Sequence, residues 1–247
     1  MLSDELILRV HDVAKAFGGL VAVDHAHLEL HRGQLIGLIG PNGAGKTTLF
    51  NLIAGYYAPD AGTITFEGHE IAGMKPYDVC RLGIARTFQT TKPFLECTTI
   101  ENILVGALLR EPSVKKAESI AERIVDLLDL GAVAQARGSE LSVPNRKLLE
   151  VGRTIATGST LLLLDEPMAG LVPTEKEQVL KVLRRINADG RSIIIVEHDM
   201  RAVMSLCSHI VLLDRGKVLL EGTPQQVTED PRAIAAYLGD DYAAASN

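Results

Sequence analysis

The chain has 247 residues, 47% of them hydrophobic and 4% aromatic, with no Trp and a formal net charge of −6 at pH 7. That is enough apolar material for one large domain, or a domain with a smaller subdomain, while the acidic balance and scarce rings argue against a nucleic-acid surface. The opening "MLSDELILRV" lacks the basic-then-apolar order of a signal peptide, and no apolar run approaches the length of a spanning helix. Up to about residue 70 the pattern is mainly that of strands. In "VAVDHAHLEL" Ala22, Ala26, Leu28 and Leu30 alternate with Val21, Val23, His25, His27 and Glu29, a period of two. "QLIGLIG" is a short apolar run that leads into a glycine-rich turn and a helix beginning near Lys46, and "GTITFEG" is a further strand bounded by glycines. From about Ile100 to Ala156 the pattern is mostly helical, with Leu148, Val151 and Ile155 at helical spacing. The strands "LLLLD", "SIIIVEHD" and "IVLLD" then alternate with helices starting near Thr174 and Met200. "LLDRGKVLLEG" predicts a hairpin turning at Arg215-Gly216, and "DPRAIAAYLG" a closing helix opened by Pro231. Strand and helix alternation indicates a parallel sheet with helices on both faces. The expected fold is α/β, with an N-terminal antiparallel β layer and an inserted helical subdomain at roughly 95–155.

One stretch carries the chemistry. "GPNGAGKTT", residues Gly40, Pro41, Asn42, Gly43, Ala44, Gly45, Lys46, Thr47 and Thr48, follows a predicted strand and opens a predicted helix. That is the context the phosphate-binding loop G-x-x-x-x-G-K-[ST] requires. Glycines there permit positive φ and bring backbone N–H groups close to phosphate oxygens, and the helix N-terminus adds its dipole. Lys46 can reach the β and γ phosphates of a nucleotide, and the Thr47 hydroxyl can ligate Mg²⁺. "LLLLDE" supplies a second part: a buried strand delivers Asp165 to its C-terminal end, where ligands collect in such sheets. A carboxylate there can hold Mg²⁺, and Glu166 beside it can polarise an attacking water.

With these motifs the sequence resembles the nucleotide-binding subunits of ABC transporters, from about Leu6 to Gly239. The resemblance implies a P-loop NTPase core, RecA-like, in a single nucleotide-binding domain spanning 1–247. It implies that Phe17, in "VAKAFGGL", stacks on adenine, and that Gln89, in "ARTFQTTKPF", senses Mg²⁺ and touches a membrane subunit. It makes His198, in "VEHDM", the histidine that contacts the γ-phosphate, and Glu166 the catalytic glutamate. In such proteins two ATPs are sandwiched between two subunits, each phosphate loop facing the signature segment of the other chain. Here "LSVPN" (Leu141, Ser142, Val143, Pro144, Asn145) stands where LSGGQ is usual. Pro144 has no N–H to offer a phosphate, and Val143 brings a branched side chain to a close approach. Pro144 also suits the start of a helix.

"ARTFQ", "LLLLDEPMAGLVPTE", "EGTP" and "DPRAIAAYLG" together look like ATPases of branched-chain amino-acid uptake systems, in a wider group that imports amides and urea. The implied partners are two membrane-spanning permeases, a second ATPase subunit or a second copy, and indirectly a substrate-binding protein. The implied cofactors are ATP and Mg²⁺, and the place is the cytoplasmic face of the inner membrane. Cys80, Cys97 and Cys207, odd in number and without metal-type spacing, suit reduced thiols. His25, His27 and Glu29 share a strand face and read as solvated rather than metal-binding. Rival readings are a P-loop kinase, which would not require Gln89, Glu166 and His198 in this order, a weakly hydrolysing nucleotide-binding subunit, and the ATPase of a lipopolysaccharide-type exporter.

Overall fold

The computed structural model describes residues 5–88 and 92–236, in two compact units. One comprises the residues up to Pro76 with those from Ile194 onward, and the other runs Tyr77–Ile193.

In the first unit, β1 (Leu6–Phe17), β2 (Leu20–His31), β4 (Ala61–Phe66) and β5 (His69–Glu70) form an antiparallel sheet in the order β2-β1-β4-β5. The strict alternation expected over residues 21–30 breaks in the middle. Val23 is buried like Ala26, Leu28 and Leu30, because β2 advances three residues, from Ala26 to Val23, where β1 advances two, from Val13 to Lys15; a first slip, between Val10 and Val13, puts its extra residue in β1. Asp12 and His25 take positive φ of 55° and 50° at these slips. An extra residue at each bulge turns the following side chains to the other face. Beyond this layer lie β3 (Leu35–Ile39), β9 (His209–Asp214) and β10 (Lys217–Gly222), with β3 and β9 parallel and β9 and β10 antiparallel. The hairpin turns where expected: Arg215 and Gly216, both at positive φ, connect Asp214 to Lys217 in the two-residue turn that matches strand twist. Helix α1 (Lys46–Ile53) follows β3, and α7 (Met200–Leu206) is capped by Asp199, whose carboxylate accepts from Arg201 N and Ala202 N. A short helix α8 (Pro224–Glu229), unforeseen in the sequence, has Pro224 at its start and a reciprocal Thr223–Gln226 capping box. The chain is helical again at 231–236, after Pro231 as expected.

In the second unit, α2 (Pro76–Leu82) leads to β6 (Ile84–Arg86), which pairs in parallel with β7 (Leu161–Asp165). Between them the expected helical stretch is α3 (Thr99–Ala107), α4 (Val114–Leu127), a 3-10 turn at Gly131–Val133 and α5 (Val143–Ala156). Helix α3 starts at Thr98 with a capping box to Glu101, which holds the Glu101 carboxyl below its usual range through the Thr98 backbone N–H. Then α6 (Pro173–Ala188) returns the chain to β8 (Ser192–Val196), within which it passes back to the first unit. All five residues of β3, of β7 and of β8 are buried, as in strands of a parallel sheet covered on both faces. Among the described residues no helix is long and apolar enough to cross a membrane.

Candidate functional site

The residues expected of a nucleotide site fall in both units. In the first, β3 delivers the chain into Gly40–Gly45 and α1 carries it away. Gly40 and Gly45 have φ of 147° and 100°, and a Cβ on them would lie 2.1 Å from the Leu213 carbonyl oxygen and 2.3 Å from that of Ala22. Backbone of β9 and β2 therefore approaches the loop closely at Gly40 and Gly45. Gly43, at φ 79°, has open space around its missing side chain. A test of this division compares Gly45→Ala with Gly43→Ala by denaturant unfolding without nucleotide. Gly43→Ala should cost only the left-handed penalty of about 1–2 kcal/mol, and Gly45→Ala about 2–5 kcal/mol, because it also drives a methyl into a carbonyl.

Lys46, the first residue of α1, is 7% exposed, and its ammonium donates to the Gly40 and Pro41 carbonyls at 2.7 and 2.8 Å. The side chain is thereby folded over the loop it must serve. Thr47 next to it is exposed, so its hydroxyl is open to a ligand. Phe17 ends β1 and is 43% exposed, its ring edge-on to Tyr57 at a centroid distance of 5.1 Å. Asp60 pins that strand end by accepting from Lys15 Nζ at 2.6 Å and Ala16 N at 2.7 Å, which lowers its own carboxyl. Tyr57 was not legible as part of an aromatic platform, since forty residues separate it from Phe17. His198 is exposed between β8 and α7, in the same unit as the phosphate loop.

In the second unit, Asp165 ends β7 and is 5% exposed. Its carboxylate pairs with the buried Arg86 guanidinium at 3.0 Å, and its backbone N–H donates to the Thr87 hydroxyl at 3.1 Å. Removing either charge of such a buried pair strands the other, at a cost of about 3–5 kcal/mol. Glu166 follows at φ 49°, a left-handed turn uncommon for a non-glycine residue. Its carbonyl accepts from Lys147 Nζ at 3.0 Å. Glu150 is buried too, and one carboxylate oxygen accepts the Phe88 N–H at 3.0 Å. Burial pushes its carboxyl up, opposed by the Phe88 N–H and by the charges of Arg153 and Lys147. Thr87, Phe88, Lys147, Glu150 and Asp165 line one small cavity, so the structure gathers them. Gln89 lies outside the described residues.

Arg86, Lys147 and Glu150 escaped sequence reasoning. A signal existed for two of them: Arg86 follows Ile84 and Ala85 in a short apolar strand, and Glu150 sits in sequence among the apolar Leu148, Leu149 and Val151. Charges in such places need partners.

The signature segment opens α5. Leu141 is buried, Ser142 is the N-cap, Pro144 lies in the first turn and is buried, and Val143 is 54% exposed. The Ser142 hydroxyl makes no capping hydrogen bond. Proline in the first turn removes an N–H that the helix does not use itself, so α5 forms normally.

Thr47 and Asp165 supply hard oxygen donors, and among the described residues no group of three or more His, Cys, Asp or Glu is placed to hold a metal. Taken singly, Thr47 in the first unit and Asp165 in the second are donors of the kind Mg²⁺ takes, since it binds through one or two carboxylates, substrate phosphates and water rather than a protein cage. His25 instead pairs with Asp12 at 2.8 Å, beside His27 on an exposed face.

Residues 23–169 match the family model described as ABC transporter, and residues 217–243 the one described as Branched-chain amino acid ATP-binding cassette transporter. The chain is 35% identical to the high-affinity branched-chain amino acid transport ATP-binding protein BraF of Pseudomonas aeruginosa and 37% identical to LivG of Escherichia coli K12, which bears the same description. Each alignment covers 95% of this chain and 98% of the relative. Among solved structures, the fold matches the ADP conformation of MJ1267, an ATP-binding cassette of an ABC transporter, with a TM-score of 0.85 and 31% identity over 95% of this chain and 99% of that one. A nucleotide-free ATP-binding cassette from an ABC transporter matches with a TM-score of 0.84 and 30% identity, over 94% and 98% of the two chains.

Proposed function

We propose, since this chain belongs to the ABC transporter family, that it binds and hydrolyses ATP to energise the uptake of branched-chain amino acids. One observation carries this: a chain with an intact phosphate loop is similar along 95% of its length to branched-chain amino acid transport ATP-binding proteins. The match of residues 217–243, a separate stretch of sequence from the phosphate loop, supports the same substrate class. The chain would act as a single nucleotide-binding domain, the helical stretch of roughly 95–155 inserted in its core. It would sit on the cytoplasmic face of the membrane, against two permease subunits.

Hydrolysis is in-line attack of water on the γ-phosphate, achieved by positioning and charge rather than covalent chemistry. Lys46 and the loop N–H groups hold the β and γ phosphates, His198 holds the γ-phosphate, Phe17 stacks on the base, and Glu166 orients the water. Mg²⁺, where bound, neutralises charge on the phosphates, and Thr47, Asp165 and Gln89 are the residues that would hold it.

The "LSVPN" segment favours a working complex with unequal sites. The Lys46, Asp165, Glu166 and His198 of this chain would be completed by the signature of a different ATPase subunit. Its own Ser142 would face the partner's loop with Pro144 unable to donate, and each charge-assisted hydrogen bond lost there is worth about 1.5–3 kcal/mol. Ser142→Arg in the assembled transporter should therefore reduce transport clearly less than Glu166→Gln does. Equal losses, or vigorous ATP hydrolysis by the isolated chain, would replace the unequal pair with two equivalent sites.

A further inference from the structure

We propose that Lys147 is a positioning residue for Glu166, through which the helix opened by the signature segment acts on the catalytic carboxylate of its own chain; this rests on the role of Glu166 given above. A left-handed backbone at a non-glycine residue persists only where its surroundings hold it. Glu166, at φ 49°, is held through its carbonyl oxygen, which accepts from Ala169 N at 3.1 Å and from Lys147 Nζ at 3.0 Å. The second bond is charge-assisted and half-buried, hence the stronger of the two. It comes from α5. Lys147 lies one helical turn beyond Val143, on the same face as that 54% exposed side chain at the helix entrance.

The helix is not free to roll beneath this contact. Glu150 and Arg153 continue a stripe at three-residue spacing. Glu150 accepts the Phe88 N–H at 3.0 Å, and Arg153 donates to the Lys92 carbonyl at 2.8 Å while its guanidinium stacks 4.6 Å from the Phe94 ring centroid. Phe88 follows Thr87, whose hydroxyl accepts the Asp165 N–H. Three side chains of one helix thus grip backbone on both flanks of residues 89–91 and at the end of β7. Displacement of the α5 entrance carries the Lys147 ammonium with it and rotates the Glu166 peptide. A Glu166 backbone no longer held at φ 49° relaxes from the left-handed region, and its Cβ, with the carboxylate that must lie within hydrogen-bond reach of the attacking water, moves with it.

The test uses Lys147→Met, Lys147→Arg and the double variant Lys147→Met/Glu166→Gln in the assembled transporter, reading kcat, ATP affinity and melting temperature. Lys147→Met should lower kcat about tenfold, the size of one lost charge-assisted hydrogen bond, with ATP affinity unchanged and the melting temperature lowered by about ten degrees at most. Lys147→Arg should restore most of the loss. In single-turnover measurements the double variant should be no slower than Glu166→Gln alone, because a residue acting through Glu166 has nothing left to position. The proposal is overturned by wild-type kcat in Lys147→Met. A further tenfold loss in the double variant would also overturn it, as would a parallel drop in ATP affinity or loss of the folded state at the assay temperature. Full turnover in Glu166→Gln is a separate result: it removes the role of Glu166 itself, and the proposal with it.

Discussion

Glu166→Gln is expected to keep ATP bound while lowering turnover by about a hundredfold or more, the size typical of losing a positioned general base. The amide matches the carboxylate in volume, and the backbone that fixes residue 166 is untouched: the carbonyl still accepts from Lys147 and Ala169. What is lost is the ability to take a proton from water as it attacks. Nucleotide retained on the variant is counted after rapid gel filtration, and released phosphate measures turnover. Near-normal phosphate release would assign water activation to another group.

Lys46→Ala is expected to weaken ATP binding by about ten- to a hundredfold, or about 1.5–3 kcal/mol, and to abolish transport. In this structure the ammonium is satisfied by two neutral carbonyls, Gly40 O and Pro41 O, at a site 7% exposed. Phosphate oxygens are stronger acceptors for it than those carbonyls. Alanine leaves the loop's N–H groups and helix dipole in place, so binding is weakened rather than erased. With no Trp in the chain, a fluorescent nucleotide analogue reports affinity against an unobstructed background. Unchanged affinity together with unchanged transport would remove the phosphate-loop assignment.

Both of these residues were legible in the linear sequence because the chemistry they serve is local. The phosphate-loop pattern needs eight neighbouring residues, a preceding apolar strand and a following helix, and all are written consecutively from Leu35 to Ile53. The hairpin at Arg215-Gly216, the buried strands "LLLLD" and "SIIIV", and the helical run to Ala156 obey the same logic of short-range pattern. The bulges at Asp12 and His25 lay beyond that logic. An extra residue, whether in β1 at Asp12 or in β2 at His25, is defined only by pairing across strands, which alternation along one strand does not show.

The partners of the acid pair were hidden for a related reason. Arg86 and Asp165 are 79 residues apart, Lys147 and Glu166 are 19 apart, and Phe88 and Glu150 are 62 apart. A buried charge announces that it needs a partner, but which partner it finds depends on how β6, β7 and α5 pack. Residue type and spacing thus mark the phosphate-loop pattern and the acid pair that ends a buried strand. How firmly those carboxylates are held, and by which helix, follows from long-range contacts formed only when the chain has folded.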